Sequence, residues 1–382
     1  MRLILRALGA LLILLGGYLA FWPVSIDPVA WAPSEDPGFT GVYAANERLA
    51  QPELLPLLGY VGPEDLAVEP DGTVYLSVHR ATGEGGAILA LAPGAGVLGP
   101  ARPRLIAEIP GRPLGVDVAP NGDLYVADAM NGLVRVGRDR SVSLVLDRFD
   151  GAPLGYPNDV AVGPDGTVYL TDSTARWRPS EMGGTLRAGI FDLAEHRATG
   201  RLLAYDPETR TARLAADGFS FANGVALSPD GRSAAVVETA DYRVWRVALD
   251  GAEAGTKTPL IEGLPSFPDN IEPDGEGGFW IGAPSPRRGI VDALAGWPGL
   301  RRALFRLPEA LRPGPAAHGM ALRIDADGRV LETWQDPRGR YPAPTGARVV
   351  GEHLYVTSLT APAIGRFSYK TRAFAAAGGA VR

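Results

Sequence analysis

The chain has 382 residues, of which 46% are hydrophobic and 21% are charged. This balance excludes an intrinsically disordered chain and supplies enough apolar side chains for a large buried core. The 43 acidic and 37 basic residues give a net charge of −6 without a basic stripe, so we expect no nucleic-acid partner. The absence of cysteine excludes disulfide bonds, thiolate catalysis and cysteine-ligated metal clusters.

The N-terminal segment predicts a membrane anchor. Arg2 and Arg6 precede an apolar run over residues 7–24, and no positive charge follows until well beyond that run. Its length approaches the roughly 20 residues that span a bilayer, and the charge asymmetry places the rest of the chain outside. A cleaved signal peptide is the alternative, but the tripeptide Tyr-Leu-Ala at 18–20 has a bulky residue where a cleavage site needs a small one.

The sequence therefore divides into three parts. Residues 1–25 are the predicted single-pass anchor, and residues 26–55, which contain Pro28, Pro33 and Pro37, are interpreted as a stiff connector. Residues 56–382 are the predicted folded domain, on the extracytoplasmic side of the membrane, which is the periplasm in a bacterium. If the N-terminus is cleaved instead, the protein is secreted.

From residue 62 onward one pattern recurs: an alternating apolar stretch, a Pro-Asp-Gly or Asn-Gly turn, and a second alternating stretch. It predicts β-hairpins, because the turn glycines supply the positive φ that tight turns require. Successive turn glycines are 50, 44, 65 and 46 residues apart, a period that suits four-stranded propeller blades. The clearest copies cover residues 65–77, 115–128, 159–172, 224–238 and 270–282.

A weaker copy at residues 347–358, preceded by a hairpin at 320–334, brings the predicted number of blades to six. The predicted fold is an all-β, six-bladed β-propeller that follows an N-terminal helix. A β-sandwich is the alternative, but sandwiches do not repeat their sequence at this period. The longest segment between repeats, residues 173–198, includes a helix-like stretch near 190–196 and is predicted to form a lid over one channel mouth.

One position of the repeat, eight residues before the turn glycine, carries oxygen donors in four of five blades. It lies at the start of the first strand, which lines the central channel, so these side chains are predicted to form a ring. Two carboxylates and two carboxamides in a partly apolar channel are costly unless a hard cation binds their oxygens. The five residues at this position are Glu64, Leu114, Asn158, Asn223 and Asp269.

Calcium is the predicted metal, because the four histidines have no spacing typical of zinc ligands. Asn270 is a candidate fifth donor. Asp65 and Asp159, each one residue beyond a ring position, point to the opposite face or deeper along the channel, where the sequence leaves a second calcium open. The alternative is that each polar residue bonds neighbouring backbone, which explains single residues but not a shared repeat position.

Residues 199–251, the FPDNI motif at 267–271 and the HGMA motif at 318–321 carry a family resemblance. Together they resemble the strictosidine synthase-like branch of six-bladed propellers, which includes the adipocyte plasma membrane-associated proteins and is related to paraoxonases and SMP-30/gluconolactonases. The resemblance implies a membrane tether and two sets of calcium ligands. The paraoxonase-like catalytic set matches Glu64, Asn158, Asn223, Asp269 and Asn270, and the structural set matches Asp65 and Asp159.

Two positions depart from the relatives. Leu114 stands where paraoxonase-like lactonases carry a histidine, so their proposed histidine base is absent. Gly346 aligns with the glutamate that strictosidine synthase uses, so a strictosidine synthase-type condensation is disfavoured.

The predicted function is calcium-dependent hydrolysis of esters or lactones, in which water attacks a metal-polarised carbonyl. Asp269 is the predicted general base and His318 the second candidate. An apolar or aryl substrate is favoured by aromatic residues beside the ligand strands, namely Phe219, Phe221, Phe267 and Trp280. A noncatalytic calcium-stabilised scaffold and a sugar-lactone hydrolase with a polar rim are the alternatives.

Overall fold

Six antiparallel four-stranded sheets make up the domain, one for each blade predicted from the repeat. A computed structural model of the chain describes residues 1–83, 85–94 and 102–369. The end of the predicted propeller domain, residues 370–382, lies outside the described residues. The all-β six-bladed propeller with an N-terminal helix is confirmed.

The first strand of the chain, β1 (Glu53–Pro56), belongs to the last blade. Blades one and two contain β2 (Val61–Val68), β3 (Val74–His79), β4 (Gly86–Leu91), β5 (Arg104–Ile109), β6 (Pro113–Val118), β7 (Leu124–Asp128), β8 (Gly132–Val136) and β9 (Val142–Leu146). A short hairpin of β10 (Arg148–Phe149) and β11 (Ala152–Pro153) leads to blade three. Blades three and four contain β12 (Pro157–Val162), β13 (Val168–Asp172), β14 (Gly200–Asp206), β15 (Thr211–Phe219), β16 (Ala222–Leu227), β17 (Ser233–Glu238), β18 (Arg243–Ala248) and β19 (Lys257–Ile261).

Blade five is interrupted at both of its inner strands. Its strands and the short flanking pair are β20 (Ser266–Phe267), β21 (Ile271–Pro273), β22 (Phe279–Ala283), β23 (Ser285–Pro286), β24 (Gly319–Ile324) and β25 (Val330–Asp336). Blade six is completed by β26 (Pro344–Val350), β27 (His353–Ser358) and β28 (Ala363–Ser368). The hairpin predicted at residues 320–334 therefore forms the outer half of blade five.

The two ends of the β-domain close the propeller. Strand β1 adds antiparallel to β28, with Glu53 opposite Arg366, and the two side chains form an ion pair at 2.6 Å. The boundary predicted at residue 55 therefore falls inside β1. Upstream residues also pack on the domain, since Leu49 is fully buried between the fifth and sixth blades.

The first strand of five blades carries a bulge near its start. The pairing register shifts between Val61 and Asp65 in β2 and between Pro157 and Val160 in β12, and β6, β16 and β26 shift at the equivalent place. A bulge lets two successive residues leave the strict alternation of a strand. Consecutive polar residues in these strands therefore both reach the channel, while the next residue enters the apolar layer between blades.

Carboxylates next to the bulges tie blade one to blade two and blade three to blade four. Asp65 accepts a hydrogen bond from the backbone N–H of Val116, and Asp159 accepts one from Val225, both at 2.7 Å. The close approach leaves no room for a side chain at Gly115, where a Cβ atom would lie 2.1 Å from Asp159 Oδ1.

Within the described residues, five α-helices lie outside the blades. They are α1 (Arg2–Phe21), α2 (Pro179–Met182), α3 (Thr185–Glu195), α4 (Gly289–Ala293) and α5 (Pro298–Phe305), with one-turn 3₁₀ helices at Gly41–Tyr43, Thr239–Asp241 and Glu309–Leu311. α1 is long and apolar enough to cross a membrane, and none of its residues is buried by the domain. The helix predicted near residues 190–196 is α3, which starts earlier, at Thr185.

The close contact at Gly115 generates a stability prediction. We expect Gly115→Ala to lower the free energy of unfolding by about 1–3 kcal/mol, because overpacking forces neighbouring backbone to move. Gly296→Ala is the matched control, since nothing lies within 4 Å of the added Cβ there. Thermal unfolding of both variants measures the difference, and equal melting temperatures would contradict the tight inter-blade packing.

Candidate metal centre

The five predicted ligands converge on the channel from four blades. Glu64 and Asn158 lie at the bulges of β2 and β12, Asn223 at the bulge of β16, and Asp269 and Asn270 in the break between β20 and β21. All five side chains are at least 92% buried. The bulges and the break explain why adjacent residues face one centre.

Hydrogen bonds join the five residues into one arc. Asn223 Nδ2 donates to Asp269 Oδ1 at 2.6 Å, and Asn270 Nδ2 donates to Glu64 Oε1 at 3.2 Å. Asn158 Nδ2 donates at 2.9 Å to Ser173 Oγ, which donates in turn to the backbone oxygen of blade four next to Asn223. The arc therefore fixes the orientation of all three carboxamides.

Three oxygen atoms of the arc have no hydrogen-bond partner within the described part of the chain. Every carboxamide nitrogen donates to the protein, whereas Glu64 Oε2, Asn223 Oδ1 and Asn270 Oδ1 are buried and accept no hydrogen bond. Unsatisfied buried acceptors are costly, and a hard cation that takes carboxylate and amide oxygens satisfies them. The residues present therefore fit a calcium ion. In the described residues no three or more His, Cys, Asp and Glu side chains form a metal-binding group, so carboxamides would have to complete the set.

The two carboxylates of the centre have raised pKa values. Burial is the main cause at Glu64, where Asp269, Asp65 and Asp159 add negative charge and raise the pKa well above its usual range. Burial raises the pKa of Asp269 to about 7, against the hydrogen bond from Asn223, which lowers it. Without a cation the centre therefore holds protons near neutral pH.

Buried acids at the ends of the second strands position the ligand segments. Asp172, at the end of β13, accepts hydrogen bonds from the backbone N–H groups of Gly155 and Tyr156, just before Asn158. Glu238, at the end of β17, accepts one at 2.6 Å from the N–H of Ser220, just before Asn223. The acids that end the repeat copies in the sequence thus hold the loops that present the ligands.

An apolar roof covers the centre. Leu114, Tyr156 and Phe221 belong to one buried cluster, and the rings of Tyr156 and Phe221 meet edge to face at 5.5 Å. Helix α3 packs on this cluster through Ala188 and Phe191. The lid insert, defined as residues 173–198, therefore packs on the residues that precede the ring positions of blades three and four, and its first residue, Ser173, accepts the hydrogen bond from Asn158. Of the four aromatic residues named from the sequence, Phe219 and Trp280 are instead blade core.

Three sequence-predicted residues are placed apart from the ring. His318 stacks on Phe39 and contacts Gln335 Oε1 at 3.0 Å, in the outer half of blade five, and none of its described contacts is with a ring ligand. Asp65 and Asp159 lie deeper in the channel, where they form the ties between blades. Both oxygens of Asp159 and Oδ2 of Asp65 accept a hydrogen bond from backbone N–H groups, whereas Oδ1 of Asp65 has no donor in the described residues. A second calcium there stays a prediction.

Four further polar residues act on the ring ligands but do not occupy the repeat position eight residues before the turn glycine, so the sequence pattern did not identify them. Ser173 and Thr239 orient Asn158 and Asn223, each directly after a strand-end acid, and Thr345 donates at 2.6 Å to the backbone oxygen of Glu64. Arg112, two residues before Leu114, also acts electrostatically on Glu64. A search for polar residues one position after each second strand would have found the first two.

Comparison with known proteins shows the family of this chain. Family models for strictosidine synthase and for the strictosidine synthase-like N-terminal region match residues 158–252 and 41–80. The adipocyte plasma membrane-associated protein of Danio rerio is 34% identical over 88% of this chain and 82% of its own length, and the human protein is 34% identical over 90% and 84%. This chain belongs to the strictosidine synthase-like family. The predicted resemblance is confirmed.

Solved propellers share the fold of this strictosidine synthase-like protein. A gluconolactonase from Xanthomonas campestris superposes with a TM-score of 0.58 at 17% identity, over 91% of this chain and 99% of its own. Regucalcin from Agrobacterium tumefaciens, a calcium-binding protein, gives a TM-score of 0.53 at 16% identity, over 83% and 90%. At these identities the likeness concerns the fold alone.

The raised pKa values predict an unusual pH dependence of stability. The unfolded carboxylates ionise near pH 4, whereas Asp269 in the folded chain holds its proton to about pH 7 and Asp65 to about pH 6. The folded state therefore binds more protons across this window, and the metal-free chain loses stability as the pH rises through it, by about 1.4 kcal/mol for each unit of pKa difference.

Calcium should reverse this loss, because its ligands bind as carboxylates. We expect calcium to raise the melting temperature more at about pH 8 than at about pH 5. Asp269→Asn should reduce both the pH dependence and the calcium effect, whereas Asp165→Asn, in an exposed turn, should preserve them. A calcium effect that is independent of pH would contradict ligation by these groups.

Proposed function

We propose that this chain is a calcium-dependent hydrolase of esters or lactones that acts at the ring on the propeller axis. The observation that carries the proposal is a set of three buried oxygens without a partner in the described residues, one on Glu64 and two on carboxamides, next to Asp269 and the apolar roof. The shared fold with a gluconolactonase and with calcium-binding regucalcin supports a lactonase-type hydrolase that uses a divalent metal.

The residues that would hold the cation are those of the arc, through Glu64, Asn158, Asn223, Asp269 and Asn270. Bound there, calcium supplies Lewis-acid polarisation of the substrate carbonyl and stabilises the negative charge that develops on its oxygen. The hydrogen bonds from the carboxamide nitrogens to protein acceptors hold the ligand oxygens in place before the cation arrives, so little reorganisation is needed.

Asp269 is the proposed general base. Its Oδ1 is fixed by the hydrogen bond from Asn223, and calcium would hold the group as a carboxylate, the form that accepts a proton from water. Leu114 supplies no base on the opposite side of the ring. His318 is not carried into the proposal, because its described partners are Phe39 and Gln335.

A strictosidine synthase-type condensation is disfavoured by the structure around Gly346. The position lies beside the ring, since a Cβ atom there would be 3.4 Å from Asn270 Cβ. No side chain is present to act as the glutamate of that reaction. The aromatic roof supports an apolar or aryl ester as the substrate class, with Tyr156, Phe221 and Phe267 as the surfaces it would contact.

Hydrolysis of phenyl acetate and of an aromatic lactone by the full chain, with calcium and with a chelator, tests the proposal. We expect Glu64→Gln to lower calcium-dependent turnover by more than about 100-fold, because even outer-shell partners of a metal typically contribute about 10- to 100-fold. Asp165→Asn is the control. If calcium stabilises the fold but no ester or lactone is hydrolysed, the result would instead support the noncatalytic scaffold.

We further propose that α1 stays attached as a single-pass anchor and that the propeller lies outside the membrane with its lid toward the lipid. The membrane-associated names of the relatives are consistent with attachment. α1 ends at Phe21, and Val24 and Ile26 pack on the buried cluster that contains Phe191 of α3. The extended chain from Phe21 to Ile26 therefore spans at most about 17 Å.

The surface near the anchor supports this orientation. Tyr18 donates to the backbone oxygen of Arg306 at 2.7 Å, so the end of α1 contacts the segment just after α5. Trp297, Leu300 and Leu311 on the same side are 63%, 52% and 66% exposed. Exposed apolar side chains next to a membrane anchor are expected to rest in the interfacial region of the bilayer.

The cysteine-free chain allows a direct test of orientation. A single cysteine introduced as Trp297→Cys or Leu311→Cys, labelled with an environment-sensitive fluorophore in lipid nanodiscs, should report an apolar environment, because these positions face lipid. Leu144→Cys, on exposed β9, is the matched control and should report water. Equal emission at all three positions would contradict the orientation.

A further inference from the structure

A second repeat position lies two residues before the ring position, at or just before the start of each first strand. Tyr156 and Phe221 at this position belong to the buried cluster of the roof, and the charge of Arg112 acts on Glu64 and on the Tyr156 hydroxyl group. Five of the six positions hold glycine, proline or an aromatic residue, and the sixth holds an arginine. The six residues are Gly62, Arg112, Tyr156, Phe221, Phe267 and Pro344.

Arg112 is the charged member of this roof, and its guanidinium has no partner in the described residues. Nε of Arg112 is buried and makes no hydrogen bond, and the side chain forms no ion pair there. Arg287, which is buried, instead donates to the backbone oxygens of Leu264 and Ser34. Arg112 is only half-buried, but its Nε–H is a buried donor without a partner among the described residues, and because such a donor is costly it indicates a ligand.

The charges around Arg112 indicate which ligand. Glu64 is the acidic group that attracts it electrostatically, with the Tyr156 hydroxyl group nearby. A divalent cation in the ring would take Glu64 and Asp269 as its ligands. Arg112 would then have no free carboxylate of the ring to pair with, so its donors would be available to a ligand of opposite charge.

We propose that Arg112 binds an anionic group of the substrate, a carboxylate or a phosphate, while the aromatic roof holds its apolar part. The inference rests on the proposed function and narrows its substrate class to esters or lactones that carry a negative charge. The planar guanidinium offers paired N–H donors that match carboxylate and phosphate oxygens, which an ammonium group does not. The roof restricts access of water, which strengthens such a contact.

Binding of small aromatic probes to the calcium-loaded full chain tests this subsite. Benzoate, phenylphosphonate and the uncharged benzamide share one ring, and calorimetry measures their affinities. We expect both anions to bind more tightly than benzamide, and Arg112→Gln to weaken the anions by about 10- to 100-fold while benzamide is unaffected. Arg112→Lys should retain part of the affinity, and the ratio of the two anions distinguishes a carboxylate from a phosphate ligand.

Arg213→Gln, at an exposed position of β15, is the matched control and should bind all probes as the natural chain does. Anion affinity that is unchanged in Arg112→Gln would overturn the proposal. So would a tighter calcium site in that variant without any loss of anion binding, because Arg112 would then act only as a charge neighbour of Glu64. Failure of the natural chain to prefer the anions to benzamide would overturn it as well.

Hydrolysis of uncharged phenyl acetate separates this inference from the proposed function. Calcium-dependent hydrolysis without a role for Arg112 in anion binding would support the proposed hydrolase function and contradict the anion subsite. Anion binding that depends on Arg112, in a chain that hydrolyses neither charged nor uncharged esters, would leave the subsite and remove the hydrolase.

Discussion

The site depends on where the carboxamide nitrogens donate. In a six-bladed propeller the channel is lined by first strands whose backbone groups are already paired, so the side chains decide what the channel binds. Here the nitrogens of Asn158, Asn223 and Asn270 all donate to protein acceptors, which lie in the same blade for Asn158, in the same and the next blade for Asn223, and in blade one for Asn270 of blade five. The same contacts that join the blades therefore expose amide oxygens to one centre, and blade packing and cation binding are linked.

The bulges make this arrangement compatible with a folded sheet. A regular strand sends alternate residues to the channel, which would separate Glu64 from Asp65 and Asn158 from Asp159 by face. With the bulge both members of each pair reach the channel at different depths, one for the cation and one to tie the next blade. Binding and structural roles thus occupy adjacent positions of one short segment.

The sequence predicted the repeat and the ligand ring but not the details of the site. The Pro-Asp-Gly turns are local, so spacing alone gave the blades, and a shared repeat position gave Glu64, Asn158, Asn223 and Asp269. The closing strand β1 has no turn signature and pairs with a strand more than 300 residues away, as in Glu53 with Arg366. His318 was proposed as a base from its residue type alone. Its ring stacks on Phe39 of the connector, a contact that no local sequence pattern predicts. Arg112 and Tyr156 could be assigned to the site only once the fold had shown where the first strands begin.

The pairing of β1 with β28 has a consequence for how the protein is made. The strand that completes the last blade is synthesised before the other blades, after α1 and the connector, and it waits unpaired until β28 emerges. Contacts of such long sequence separation form slowly. A nascent chain already held in the lipid by its N-terminus would keep that waiting edge near the bilayer, away from other unfinished chains with which an open strand could pair.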